Sequence, residues 1–212
     1  MDHRPQVPKE HYYTWRYDKQ DRWMNYWHQI DTIVGTKSVT VLEVGGGNRL
    51  VADHLVKLGF DVTVVDIDPE LKPDIVGSVL ELPFQDNAFD VILAAEVLEH
   101  LPFCDFSRAV SEIRRVTKKY AVISIPHSGA VFYLSFKLPL LKRKTIFLKI
   151  PYFWVTHKFN REHYWEIGKK GYPVRLIIQK IREAGFTVLH SRIYGDDPAR
   201  YHFLLKKVTQ KI

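Results

Sequence analysis

An apolar run from Val39 to Val44, interrupted only by Thr40 and Glu43, ends on Gly45, Gly46 and Gly47. A run this apolar reads as a strand covered on both faces, the habit of parallel sheets. Glycines directly after such a strand permit a sharp turn and let a ligand approach the backbone closely. The helical pattern that follows carries Val51, Leu55 and Leu58 and is stopped by Gly59. The first N–H groups of that helix therefore point back at the glycine turn without helical partners.

The alternation continues along the chain. Val62 to Ile67 reads as a second strand, Asp74 to Gly77 as a short third and Phe89 to Ala94 as a fourth. Asp105 is placed to cap a helix bearing Phe106, Ala109, Val110, Ile113 and Val116, and Tyr120 to Ile125 is a fifth strand ended by Pro126. Pro173 opens a helix with the stripe Ile177, Ile181 and Ala184, closed by Gly185. Phe186 to Ile193 and Arg200 to Val208 form the last two strands, joined by the turn Gly195-Asp196-Asp197-Pro198. Strands alternating with helices predict an α/β fold, a doubly wound and mostly parallel sheet with helices on both faces. Trp23, Trp27, Ile30 and Val34 recur at helical spacing and predict an amphipathic helix from about Asp18 to Val34 with these residues as its apolar stripe. At 212 residues the chain is read as one domain. Its parts are an aromatic helical cap at 1–35, a core at 36–126, a basic and aromatic insertion at 127–170, and a C-terminal helix and hairpin at 171–212.

Two carboxylates flank the glycine turn. Glu43 comes just before it, where it would repel a pyrophosphate but suit a ligand carrying an ammonium group. Asp66 ends the second strand, where a carboxylate can accept both hydroxyls of a ribose, and Ile67 beside it can pack on an adenine. Gly77-Ser78-Val79-Leu80-Glu81-Leu82-Pro83-Phe84 follows the third strand and can frame the adenine edge. Phe89 to Leu101 runs from the fourth strand through Ala94, Ala95 and Glu96 into Glu96-Val97-Leu98-Glu99-His100-Leu101. The small alanines fall where a ligand would cross the C-terminal edge of the sheet.

In this order and spacing the four segments resemble the class I S-adenosylmethionine (SAM)-dependent methyltransferases, especially the small-molecule branch called type 11 or ubiquinone-type. The likeness is close from Val39 to Pro126 and loose beyond. It implies a Rossmann-like sheet of seven strands with an antiparallel C-terminal strand. It implies SAM as cofactor and S-adenosylhomocysteine as product. Gly45, Gly46 and Gly47 would line the methionine part with Glu43 beneath. Asp66 would hold the ribose, Ile67, Ser78, Val79 and Leu80 the adenine, and Ala95 and Glu96 would border the cofactor. Two departures stand out: Arg49 occupies the place of a usual third glycine, and Ser78 that of a frequent aspartate. The implied activity is methyl transfer to an O, N or C acceptor on a small-molecule or lipid-like substrate. The alternative is a non-catalytic SAM-binding or RNA- or membrane-associated module of the same fold. A nicotinamide-dependent oxidoreductase is the weakest reading, because Glu43 is poorly placed for a pyrophosphate.

His127, directly after the fifth strand, is the first candidate for a general base and His163 the second. His100 is expected to cap its turn. Cys104 is the only cysteine, which excludes an intrachain disulfide and argues against a cysteine-held zinc; no metal is expected. The net charge is +7, and its excess is concentrated. Lys137, Lys142, Arg143, Lys144, Lys149, Lys158 and Arg161 lie between His127 and Arg161 without one acidic residue. For segment 130–155 a substrate lid ranks first, contact with an anionic membrane surface second and RNA third. Tyr12, Tyr13, Trp15 and Tyr17 can cover a pocket or pack on the core, and packing is favoured for any single ring. No signal peptide or apolar span is evident, so the expected location is cytoplasmic, with peripheral membrane contact as an addition.

Overall fold

A computed structural model describes residues 7–208 except Arg16, Leu138, Leu140, Leu141 and Arg143. Arg143 of the basic cluster and the first six residues of the cap therefore lie outside the described residues. Seven strands form one sheet: β1 (Thr40–Val44), β2 (Asp61–Asp66), β3 (Ile75–Val76), β4 (Phe89–Ala95), β5 (Thr117–Pro126), β8 (Phe186–Tyr194) and β9 (Asp197–Lys207). Their order is β3-β2-β1-β4-β5-β9-β8, and β9 alone runs antiparallel to its neighbours. This is the sheet expected from the sequence. The strand order reverses between β1 and β4, where a doubly wound sheet opens its binding crevice.

The strands alternate their side chains between two cores. Leu42, Val44, Ile92 and Ala94 face one layer with α3 (Phe106–Val116) and α4 (Val174–Glu183). Val41, Val91 and Leu93 face the other with α1 (Gln20–Gly35) and α2 (Leu50–Lys57). Each fully buried Leu, Ile or Val contributes about 1.5–3 kcal/mol relative to exposure, so the two layers fix the register of β1 and β4 from both sides.

Helix α1 departs from the expected stripe. Trp23 and Trp27 are 47% and 54% exposed and Val34 is exposed too. The buried face instead carries Asn25, Tyr26, His28, Gln29 and Ile33. The cause is what this helix covers. Its inner face borders a polar cavity, where Gln29 Nε2 donates to Asn25 Oδ1 at 2.9 Å. His28 stacks on Tyr194 at 3.5 Å between ring centres and meets Asp196 at 2.8 Å.

The insertion is also more regular than its sequence. β6 (Gly129–Phe136) and β7 (Lys144–Pro151) form a separate two-stranded antiparallel hairpin. Its outward residues include Phe132, Leu134, Phe136, Ile146, Leu148 and Ile150, all exposed. Lys149 anchors its base by donating to the carbonyls of His127, at 2.6 Å, and Pro198. The return segment is held by Trp165, which is fully buried and donates to the Leu101 carbonyl at 3.1 Å.

Candidate active site

A cavity of about 570 Å³ opens at the C-terminal ends of β1, β2 and β4, a volume suited to a cofactor. Its floor is the glycine turn. Gly45 has φ +74°, and a Cβ there would stand 2.5 Å from Val97 Cγ2. Gly47 has φ +51° and faces the Tyr12 ring, 3.2 Å from where its Cβ would be. Arg49, in the place of the usual third glycine, itself adopts φ +60°. Its guanidinium is tied to Asp74 at 3.2 Å, so side-chain bonds offset a backbone conformation that glycine would adopt freely.

Glu43 is 5% exposed, and its Oε2 has no hydrogen-bond partner. Burial pushes its carboxyl up to about 8, eased only in part by the Ala52 N–H and by Arg49. An orphaned carboxylate in a cavity is a strong site for a cation, because pairing removes the desolvation penalty. Asp66 is also buried, and burial raises it from its ordinary value. One of its oxygens accepts from the Asp68 N–H at 2.9 Å. Ile67, Ser78 and Val79 continue the wall, and Ala95 and Glu96 complete it beside the glycines. Leu80, expected at the adenine, is not among the lining residues and packs in the core. The Ser78 hydroxyl accepts from the Leu80 N–H at 3.2 Å and so braces its own turn.

The cover comes from two places. His11, Tyr12 and Tyr17 line the cavity from the N-terminal side, with Tyr12 and Tyr17 edge to face at 5.3 Å. Tyr13 and Trp15 are exposed instead. Phe159, Glu162, His163 and Tyr164 close the other side. No described residue of the β6–β7 hairpin lines the cavity, so the lid expected from 130–155 is supplied by these other two segments.

Of the two candidate bases, His163 faces the cavity and His127 does not; His100, expected to cap its turn, also lines it. The His127 ring is buried beside Tyr201 with an unpartnered Nδ1, and burial, reinforced by Lys149, lowers it to about 4. His163 Nδ1 meets Glu166 at 3.1 Å. Burial opposes ionisation of Glu166, but bonds from His163, Ser128 and Lys169 outweigh it and hold the carboxyl well below its usual range. His100 Nδ1 faces the Glu162 carbonyl at 2.8 Å. Close to these rings lies Glu99, wholly buried, which burial and then the charge of Glu96 push well above the usual carboxylate range.

Sequence reasoning missed the charged network behind Glu96. Arg200 Nε donates to Glu96 at 3.0 Å while Nη1 donates to Asp197 at 2.7 Å. His202 Nε2 meets the other Asp197 oxygen at 2.8 Å. Glu96 adopts φ +56°, a conformation side chains rarely take. The available signal was the presence of Asp197, Arg200 and His202 in what reads as the hairpin next to the fifth strand.

The sequence profile of the methyltransferase domain matches residues 42–125. That span begins beside Glu43 and ends with β5, so it contains the glycine turn, Asp66, Ser78 and Glu96. Over that span, which is less than half of the chain, the sequence is similar to the type 11 class of SAM-dependent methyltransferase domains. The chain is 29% identical over 99 residues to an uncharacterised methyltransferase of Mycobacterium bovis, a match covering 42% of this chain and only 40% of that protein's length. Its fold is similar to the CcbJ methyltransferase of Streptomyces caelestis (TM-score 0.62, 12% identity, 99% of this chain and 100% of the other). It is also similar to the 1,6-didemethyltoxoflavin N1-methyltransferase of Burkholderia thailandensis, solved with S-adenosylhomocysteine (TM-score 0.60, 15% identity, 94% and 85%). Glu43, whose Oε2 has no partner, and the crevice-facing Asp66 fit the ammonium and ribose of SAM, the cofactor of methyltransferases of this type. Among the described residues no helix is long and apolar enough to cross a membrane.

Proposed function

We propose that this domain transfers the methyl group of SAM to a lipid-like or other small-molecule acceptor. One observation carries the reading: a buried carboxyl group with one oxygen left without a partner, that of Glu43, shares a cavity with Asp66 across a glycine turn. SAM supplies a methyl group already activated by a sulfonium. The chain's own part is to hold, align and keep out water. Glu43 takes the ammonium, Asp66 the ribose hydroxyls, and Ile67 and Val79 the adenine face. Tyr12 and Tyr17 close over the glycine turn. The acceptor comes in on the side of Glu96, His100 and His163.

The hairpin favours the lipid-like class. It exposes apolar side chains on both faces and carries Lys137, Lys142 and Lys144 near its tip. We infer that it rests on an anionic lipid surface, where each such lysine contributes about 1 kcal/mol.

A thermal-shift titration tests the cofactor. SAM or S-adenosylhomocysteine at 100 times its dissociation constant stabilises by about 2.7 kcal/mol, a rise of roughly 5–10 °C for a chain of this size. Absence of a shift with both ligands defeats the proposal. A shift without transfer of labelled methyl to any lipid or small-molecule acceptor favours the non-catalytic alternative.

A further inference from the structure

Behind the acceptor side of the cavity, next to the lining residue His100, lies a side chain that cofactor binding does not use. Glu99 lies in the single 3-10 turn Leu98–His100 that follows β4. It has no solvent exposure, and neither of its carboxylate oxygens has a hydrogen-bond partner. Ionised, such a group carries a desolvation cost of several kcal/mol, so it stays protonated unless a positive charge joins it. His100 and His163 lie close to it. Each of the three residues offers one ligand atom, and these atoms all lie within 4.8 Å of one another.

The surroundings of the two rings favour a metal. His163 Nδ1 meets the Glu166 carboxylate at 3.1 Å, and His100 Nδ1 faces the Glu162 carbonyl at 2.8 Å. At His163, an Nδ1–H given to that carboxylate leaves the lone pair on Nε2. This outer bond fixes tautomer and orientation around metal-bound histidines. Glu166 is itself fixed by Lys169 at 3.0 Å and by the Ser128 hydroxyl.

We propose that Glu99, His100 and His163 bind a first-row divalent cation of the manganese, iron, cobalt or zinc class. Two imidazoles and one carboxylate make a three-ligand set that leaves coordination positions open, as in metal sites that act on substrates. His100 and His163 line the cavity, so the open positions face the acceptor, where an acceptor oxygen can occupy one. Magnesium, which keeps to oxygen ligands, binds more weakly. The site gives His163 the role of ligand in place of general base. It also parts from the sequence expectation of no metal, which rested on the single cysteine. It does not depend on the cofactor reading, since the three ligands come from the chain alone.

The test uses tag-free full-length protein, freed of metal with a chelator and titrated with cobalt(II) chloride, then with manganese(II), zinc(II) and magnesium(II) separately. Expected are visible ligand-field bands of bound cobalt saturating at one equivalent, and loss of the free manganese paramagnetic resonance signal at the same stoichiometry. His163→Asn and Glu99→Gln are each expected to weaken cobalt binding at least tenfold. His190→Asn, on the outer face of β8, should leave it unchanged. Circular dichroism and the S-adenosylhomocysteine thermal shift check that each variant is folded, and His163→Asn keeps the test open if Glu99→Gln is not. Absence of cobalt bands, or bands that survive His163→Asn, assigns any uptake to other histidines and overturns the site. The cofactor reading stands or falls separately on the thermal shift.

Discussion

Arg200 on β9 and Glu96 just beyond β4 meet at 3.0 Å across the intervening strand β5. The same guanidinium holds Asp197 at 2.7 Å. One buried cation thus ties the C-terminal hairpin to the edge of the cofactor crevice. It also holds Glu96 in a backbone conformation that needs outside support.

Arg200→Met removes that cation and leaves the buried Asp197 and the partly buried Glu96 without it. Breaking a buried pair from one side costs about 3–5 kcal/mol, or roughly 10 °C in Tm for a chain of this size. Differential scanning calorimetry measures it. Adding Glu96→Gln should recover part of the loss, because one stranded charge is gone. Equal losses in the single and double variants would show that packing of the arginine stem, and not its charge, does the holding.

Glu43→Gln is expected to stabilise the ligand-free protein at pH 8 while abolishing the SAM thermal shift. The carboxyl titrates near 8 in the fold against an ordinary 4.5. Between those values the folded chain keeps a proton that the unfolded chain has released. Stability from this group is therefore full below pH 4.5 and is lost as pH rises to about 8. Glutamine has no proton to lose, so urea midpoints of parent and variant should diverge across that window. In the parent, the ligand's ammonium restores the charged carboxylate, so binding at pH 7 should release up to one proton. Calorimetric enthalpies in buffers of different ionisation heat read that release. Enthalpies that do not depend on buffer would mean that Glu43 does not meet the ammonium.

The parts of this molecule legible in the sequence are those whose local pattern has one structural solution. The apolar strand ending on Gly45 fixed both the sheet centre and the cavity floor, because nothing else satisfies a buried strand followed by three glycines. Glu43, Asp66 and Glu96 could be placed because each lies at or within one residue of a strand's C-terminal end and so stands at the same sheet edge. The α1 stripe misled because periodicity reveals two faces of a helix but not the surface each one meets. Asn25 and Gln29 are inside because that surface is a polar cavity. His127 follows β5 as expected, yet its ring turns under the insertion, a direction chosen by packing against Tyr201 and Gly168. The cluster of Glu99, His100 and His163 joins segments 63 residues apart, a distance that spacing alone cannot bridge.

His127→Gln tests the base reading. His127 titrates near 4 in the fold, and its ordinary value is 6.5. Its neutral ring contributes stability that is present above pH 6.5 and is lost as pH falls from there toward 4. Glutamine should flatten the acid limb of the stability curve between those values. Methyl transfer at pH 7.5 should stay within a factor of about three, against the 10²–10⁴ typical of a lost general base. A hundredfold fall in kcat with an unchanged fold would return His127 to the reacting centre.

The hairpin prediction rests on the pairing of two surface properties. Phe132, Leu148 and Ile150 are exposed beside strands that carry basic residues and no acid, in a stretch from 127 to 161 where every charge is positive. A neutral apolar face would dock on any hydrophobic partner, whereas this one also selects for negative charge. Cosedimentation should show binding to vesicles containing phosphatidylserine and little to phosphatidylcholine alone. Lys142→Gln and Lys144→Gln are each expected to weaken binding about fivefold, the equivalent of about 1 kcal/mol per charge. Salt should weaken it as the screening length shrinks from about 8 Å at physiological strength to about 3 Å at 1 M. Phe132→Ser with Leu148→Ser should lower the affinity that remains at high salt, which charge alone cannot explain. If the chain instead forms a dimer that Phe132→Ser disrupts, and does not sediment with either vesicle, the hairpin joins two copies and the lipid surface is the wrong partner.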